Sequence, residues 1–183
     1  MKSLLTNLRV FLVLTLLTGV IYPLVVTAIG HLFFLEKAQG SLVRKGNETV
    51  GSELLAQGFS NPKYFWPRPS ANKYDGLSSG ATNQSISSTE WIKTVKEREA
   101  QGLVSEMRFA SASGLDPDIS LEAAQAQIQR ISTARELNSN DKARLEILVH
   151  NSLQLRQAGI FGEERINVLK LNLALDEAIK GTP

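Results

Sequence analysis

Three Ser-x-x-Lys pairs occur in the chain: Ser60 with Lys63, Ser70 with Lys73, and Ser139 with Lys142. In acyl-serine hydrolases of the penicillin-binding type, a serine at a helix start is activated by a lysine nearby. Here the spacing carries little weight. With 17 serines and 10 lysines among 183 residues, about one such pair arises by chance. Ser70 also follows Pro67 and Pro69, which oppose a helix there, and the companion Lys-Thr-Gly is missing. There is no cysteine, and His31 and His150 are the two histidines. Thiolate and multi-histidine metal sites, iron–sulfur clusters and a cysteine nucleophile are therefore excluded. A Ser-His-Asp triad would need His150, which sits beside Asn151 in an amphipathic pattern with nothing convergent around it. Asp116 and Asp118 flank Pro117, but calcium needs about six to eight oxygens, so a turn leading into a helix is the better account. Neither phosphate-loop pattern, Gly-x4-Gly-Lys-Ser/Thr or Gly-x-Gly-x-x-Gly, is present. Tyr64, Phe65 and Trp66 before Pro-Arg-Pro form either a docking strip anchored by Arg68 or a cover for the core. Aromatics and arginine favour interface centres, so both accounts stand.

The elements that must carry these residues follow from periodicity. Gln39 to Val50 is a linker or a first hairpin. Asn61 to Asn72 cannot be a regular helix, because Pro62, Pro67 and Pro69 interrupt it. Ser78 to Thr89 is a polar, turn-rich loop. A helix is expected over Glu90 to Gln101 and a strand over Met107 to Ala112. Ser120 caps a helix burying Leu121, Ala124, Ile128 and Ile131. A second helix starts at Asn140, buries Leu145, Leu148, Val149 and Leu153, and is broken by Gly159 and Gly162. Ile166 to Val168 forms a short strand, and a last helix from Asn172 buries Leu175, Ala178 and Ile179. No repeat of 20–50 residues is visible. The order predicts an α+β (mixed α/β) domain at 38–183.

Ahead of it, residues 1–37 hold a single spanning helix. Val10 to Leu35 has no formally charged side chain. As a helix it is about 39 Å long, enough for a ~30 Å hydrocarbon core. A cleaved leader ending at Ala28-Ile29-Gly30 is the rival, but it would start the mature chain with His31 and four apolar residues. The whole charge excess of +2 lies in residues 1–37, where Lys2, Arg9 and Lys37 oppose Glu36. Nothing resembles the basic face of a nucleic-acid binder. Lys2 and Arg9 before the span nearly balance Lys37, Arg44 and Lys45 after it, so charge does not orient it. Thr15, Thr18, Gly19 and Tyr22 fall at i, i+3, i+4 and i+7, a small and hydroxylated face suited to another membrane helix. Pro23 is expected to kink the span.

The ordered blocks GSELLAQGF (from Gly51), YFWPRPSA (Tyr64 to Ala71), SGATN (Ser79 to Asn83), ASASGLDPDIS (Ala110 to Ser120) and GEERINVLKLNLALD (Gly162 to Asp176) resemble the KdpC family of the Kdp-type potassium-transporting ATPase. The likeness covers nearly the whole chain. It departs at Glu164, often proline in the family, and at Thr82, often serine. The resemblance implies a bacterial or archaeal plasma (inner) membrane complex that imports potassium. The implied partners are a channel-like potassium-translocating subunit, a P-type ATPase subunit and a small single-helix subunit, with membrane lipid around the span. It implies a single pass, with the N-terminus cytoplasmic and the C-terminal domain extracytoplasmic. ATP and potassium are then handled by the complex, and this chain needs no cofactor and no catalytic residue of its own. The expected role is assembly, stabilisation and covering of the potassium entrance. Family descriptions also offer a chaperone that raises the ATP affinity of the ATPase subunit. Cytoplasmic ATP cannot reach an exported domain, so that role is the alternative, and an anchored acyl-serine hydrolase is a remote one. For a nucleotide the best candidates are Ser79, Gly80 and Asn83, or Ser113 and Gly114. For partner contact they are Thr15, Thr18, Gly19 and Tyr22 in the span, and Tyr64, Phe65, Arg68, Ser70, Asp116, Asn167 and Asn172 beyond it.

Overall fold

The computed structural model describes residues 2–179, and the chain divides into two compact units, Met1–Leu42 and Val43–Pro183. The first is a long apolar helix in joined pieces. Helix α1 (Lys2–Leu16) runs into a π-helical turn, Leu17–Ile21, and then into α2 (Tyr22–Phe33). Ser3–Phe33 gives 31 continuous residues, about 46 Å at 1.5 Å per residue, long enough to cross a membrane with tilt. The helix therefore starts well before Val10 and stops before Leu35. Phe34 leaves helical geometry at φ −137, and Leu35 opens a separate short helix, α3 (Leu35–Ala38). The π turn is the local response to Pro23. Proline has no N–H for the Gly19 carbonyl, and the Tyr22 N–H reaches back to the Leu17 oxygen. The expected kink is a widened turn lying within the Thr15–Tyr22 face.

The second unit mixes helix and strand. Strands β1 (Leu42–Lys45) and β2 (Glu48–Ser52) pair across Gly46 and Asn47. Gly46 has φ 65, a left-handed value suited to a two-residue hairpin. No regular element occurs from Glu53 to Ser88, as the prolines dictate. Four helices then begin at polar caps. Ser88 Oγ accepts the Trp91 N–H (3.1 Å) to start α4 (Thr89–Ala100). Ser120 Oγ accepts the Ala123 N–H (3.1 Å) for α5 (Leu121–Ala134). Asn138 Oδ1 accepts the Asp141 N–H (2.9 Å) for α6 (Ser139–Asn151). Asn167 Oδ1 accepts the Lys170 N–H (3.1 Å) for α7 (Val168–Ala178). Strand β3 (Asp118–Ile119) pairs antiparallel with β4 (Ile166–Asn167), with Ile119 opposite Ile166.

Five local expectations are corrected. The segment from Met107 is no strand. Ser105–Arg108 is a 3-10 turn that buries Met107, because no neighbouring edge is present there to pair it. The cap of α6 is Asn138 rather than Asn140, since Glu136 turns the chain at φ 54 just before it. Helix α6 also ends at Asn151, so Leu153 lies past it, and Gly159 and Gly162 belong to a later arm. Helix α7 starts at Val168 rather than Asn172, because the strand pairing ends at Asn167 and frees that side chain to cap. Its C-terminal Ala178 is exposed while Ile179 is buried.

The core lies among α5, α6 and α7. Ile128, Ile131, Leu145, Val149, Leu171 and Leu175 meet there with Ile119 and Ile166 of the small sheet and with Phe65. Burying each of these large side chains contributes roughly 1.5–3 kcal/mol. That helix frame is what fixes the loops bearing the candidate sites.

Candidate functional site

Three loops that lie far apart in sequence meet at one junction. The Ser111 N–H donates to the Pro69 carbonyl (3.0 Å). The Gly80 N–H (2.9 Å) and the Ser79 hydroxyl (3.1 Å) both donate to the Ser113 carbonyl. Asn72 Nδ2 donates to the Ser78 carbonyl. Gly114 sits at φ 69, and a Cβ there would lie 2.5 Å from Asn72 Oδ1 and 2.8 Å from the Gly80 oxygen, so the close approach requires glycine. Ser79, Gly80, Ser113 and Gly114, expected as two separate phosphate candidates, are thus one locked seam. Its donors point at its own acceptors: the Gly114 N–H binds the Ser111 carbonyl and the Leu115 N–H binds Ser113 Oγ. Asn83 is exposed at φ 54.

Ser70 belongs to the same seam. Its Oγ accepts the Tyr74 N–H (3.0 Å) and bonds Asn72 Oδ1. Lys73 has left-handed φ 58, so no helix carries Ser70 and Lys73 as a catalytic pair. Ser139 does open a helix, but Lys142 Nζ donates to Gln129 Oε1 (3.0 Å). Ser60 and Lys63 lie in an irregular stretch. His150 is exposed, with Gln125 Nε2 3.2 Å from its Nε2. Among the described residues no group of acids and histidines could hold a metal ion.

The aromatic strip turns inward at Phe65, with Tyr64 and Trp66 half-buried on either side. Phe65 is fully buried, which removes its side chain from any outer surface in this conformation. Its backbone is held by a side-chain amide: Asn172 Oδ1 accepts the Phe65 N–H (2.8 Å) and Asn172 Nδ2 donates to the Phe65 carbonyl (3.0 Å). Gln127 does the same for Trp66, at 2.8 and 3.2 Å. Two helices therefore supply, through single amides, the pairing that a neighbouring strand would give. Arg130 stacks over Trp66, 3.7 Å from the ring centroid, and donates to the Pro62 carbonyl (2.6 Å). Burial lowers its guanidinium to about 10. Arg135 pairs with Asp176 (2.8 Å), donates to the Lys63 carbonyl (2.8 Å) and lies over Tyr64. The Tyr64 hydroxyl, raised by burial and by Asp176, donates to that carboxylate (3.1 Å). Gln127, Arg130, Arg135 and Asp176 were missed from sequence. The available signal was a polar residue inside an apolar stripe, as Gln127 stands between Ala124 and Ile131.

A third region is a cleft of about 310 Å³ lined by Arg68, Glu106, Asp116, Asp118, Glu163, Glu164 and Arg165. Arg68 pairs with Asp116 (3.1 Å) and Arg165 with Asp118 (3.0 Å). Asn167 is buried, and its Nδ2 donates to the Glu53 carbonyl (2.9 Å) and to Asp118 (3.3 Å). Burial raises the Asp118 carboxyl above 3.8 despite Arg165 and Asn167. Glu106 differs. Burial pushes it up, but hydrogen bonds from the Ser120 N–H, the Ser105 hydroxyl, its own N–H and the Ser120 hydroxyl outweigh this and hold it below 4.5. Of the soluble partner-contact candidates, Tyr64, Arg68, Ser70 and Asp116 reach the surface in part, while Phe65, Asn167 and Asn172 bind within the domain. In the span, Thr15, Thr18, Gly19 and Tyr22 are exposed, with the Thr18 hydroxyl donated to the Leu14 carbonyl (2.7 Å).

Among the described residues, one apolar helix is long enough to cross a membrane, and a domain of mixed helix and strand follows it. Residues 4–177 match the family model described as K+-transporting ATPase, c chain, and the chain belongs to that family. It is 43% identical to the potassium-transporting ATPase KdpC subunit of Polynucleobacter asymbioticus, covering 96% of this chain and 99% of that one. The protein of that name from Dechloromonas aromatica is 43% identical, over 98% and 100%. That from Geobacter sulfurreducens is 44% identical, over 96% and 98%.

Proposed function

We propose that this chain is an accessory, non-catalytic subunit of an ATP-driven potassium import complex. It assembles and stabilises a potassium-translocating subunit and a P-type ATPase subunit beside a small single-helix subunit, and its domain covers the potassium entrance from outside. The observation that carries this reading is the family match, which runs from the span almost to the end of α7. The locked seam supports a role without nucleotide. A triphosphate needs several aimed donors, and at the seam the backbone N–H groups of Gly80, Gly114 and Leu115 are bound to the protein's own oxygens.

The test uses the full chain. Tagged and expressed with its neighbouring genes, it should carry two large membrane subunits through detergent extraction. Purified alone in detergent, it should give no calorimetric heat with magnesium-ATP. A micromolar dissociation constant abolished by Asn83→Ala would replace this reading with the ATP-chaperone one. Isolation without any large subunit would remove both.

A further inference from the structure

Between α6 and β4 the chain leaves the core as a two-stranded arm. Its base is closed by Gln154 and Arg165, whose backbones exchange hydrogen bonds of 2.8 and 3.1 Å. Gln157 and Phe161 close its end in the same way, at 2.9 Å each. The Asp118–Arg165 ion pair (3.0 Å) fixes the base to β3. Left-handed residues at Ala158 (φ 52), Gly159 (φ 73) and Gly162 (φ 78) set the turn. The arm holds three large apolar side chains in water: Leu155 is 69% exposed, Ile160 74% and Phe161 68%. Leu77 and Ile86 are more exposed still but stand singly, which is ordinary. Three on one small arm form a patch.

Chemistry and size narrow what covers this patch. Glu163 and Glu164 follow Phe161 closely, are exposed, and have no ion-pair or hydrogen-bond partner among the described residues. Arg156, on the opposite strand, is a cation without an ion-pair partner among the described residues. Segments that dip into lipid interfaces carry Lys and Arg around their apolar residues, and anionic headgroups repel adjacent carboxylates. Two acids beside the apolar pair therefore oppose a lipid occupant. A second copy of this chain is opposed by area. Three such side chains offer roughly 400 Å², about half of the ~800 Å² per partner that a stable complex buries. A patch of this size holds a surface already kept close by another attachment, where effective concentration replaces intrinsic affinity. This chain has such an attachment, the membrane span.

We propose that Leu155, Ile160 and Phe161 form an anchor seated in an apolar recess of a neighbouring protein subunit, with Lys or Arg at the recess edge facing Glu163 and Glu164. This rests on the assembly role proposed above and names where one contact is made. The experiment places benzoylphenylalanine at Ile160 in the full chain and irradiates the intact detergent-extracted complex. The expected product is a covalent adduct with one of the two large subunits. In a second arm, Ile160→Ser with Phe161→Ser should lower retention of the chain through high-salt washing at least threefold. Glu163→Lys with Glu164→Lys should do the same, with an unchanged urea midpoint for the isolated chain. An adduct with lipid alone, an adduct with a second copy, no adduct in a complex that stays together, or retention unchanged in both double variants overturns the inference and leaves the assembly role intact. Absence of large subunits with the unaltered chain overturns the assembly role and this contact with it.

Discussion

Asn172 does the work of a strand edge with one side chain, holding both backbone groups of the buried Phe65. Asn172→Leu leaves the buried Phe65 N–H and carbonyl without partners. At about 1–3 kcal/mol for each unsatisfied group, stability should fall by about 2–6 kcal/mol. The same change at Asn140, exposed in the first turn of α6, should stay within about 0.5 kcal/mol. Urea unfolding of the full chain in detergent measures both, because the two tryptophans, Trp66 and Trp91, lie in the second unit. The same melts separate two carboxylates of one cleft. Asp118 is held above 3.8 by burial, so folding favours its protonated form. Its contribution is fully present below pH 3.8 and is lost as pH rises through its folded value. Asp118→Asn should therefore match or exceed the parent at pH 7, with the difference shrinking toward pH 3.8. Glu106 is held below 4.5 by hydrogen bonds that outweigh burial. Its stabilisation is present above pH 4.5 and lost as pH falls through its folded value. Glu106→Gln should be weaker at pH 7 and converge on the parent in acid. Parallel pH profiles for the two variants would contradict both assignments. Ser120 as a cap and the seam residues Ser79, Gly80, Ser113 and Gly114 were visible in sequence, but their mutual contact was not. Hydrogen bonds between residues 34 positions apart leave no local pattern to read.

Elements with a strong period were legible and elements made by pairing were not. α5 carries apolar residues at helical spacing behind a serine cap, and it forms where that pattern places it. β3 and β4 have two residues each, too few for alternation to mark, and they exist because Ile119 and Ile166 meet across the sheet. Met107 to Ala112 reads as strand-like because Met107 and Phe109 alternate with Arg108, yet Ser105–Arg108 forms a 3-10 turn that buries Met107 instead. In the span, a uniform helix places Thr15, Thr18, Gly19 and Tyr22 on one face. The π turn adds a residue between them, which rotates Tyr22 by about 100° relative to Thr15. The close-approach face then centres on Thr18 and Gly19. A Cβ at Gly19 meets nothing within 4 Å, so Gly19→Leu leaves this chain's own packing untouched and reports on an outside helix. Gly19→Leu should lower retention of the large subunits after detergent extraction several-fold, while Leu12→Val should not. Equal yields of complex from the two variants would remove the face.

At the scale of the whole molecule, the proposed orientation puts the second unit outside the membrane and Lys2 inside. A chain without cysteine makes the test direct. Ser139→Cys, on the exposed first turn of α6, should react with an impermeant maleimide in intact spheroplasts. Labelling only after lysis would reverse the orientation. The general plan of one apolar span and a mixed domain was readable because hydrophobic length and helical period are local properties. The inward turn of the aromatic strip was not, since Tyr64, Phe65 and Trp66 read alike as cover or as dock until their partners are known. Those partners set a timetable. Phe65 waits for an amide 107 residues later in the chain, and Tyr64 for a carboxylate 112 residues later. During synthesis at roughly 5–20 residues per second, the ribosome needs several seconds to supply them. The span emerges first and can enter the bilayer at once, while Tyr64 and Phe65 remain without their partners until α7 is made, although Trp66 can meet Gln127 and Arg130 once α5 is complete. A message truncated before residue 172 would yield an anchored product that cannot close, with a sticky strip for quality-control proteases and holdases to recognise. Completion of the carboxyl-terminal helix is thus the event that converts a tethered, degradable nascent chain into a mature one.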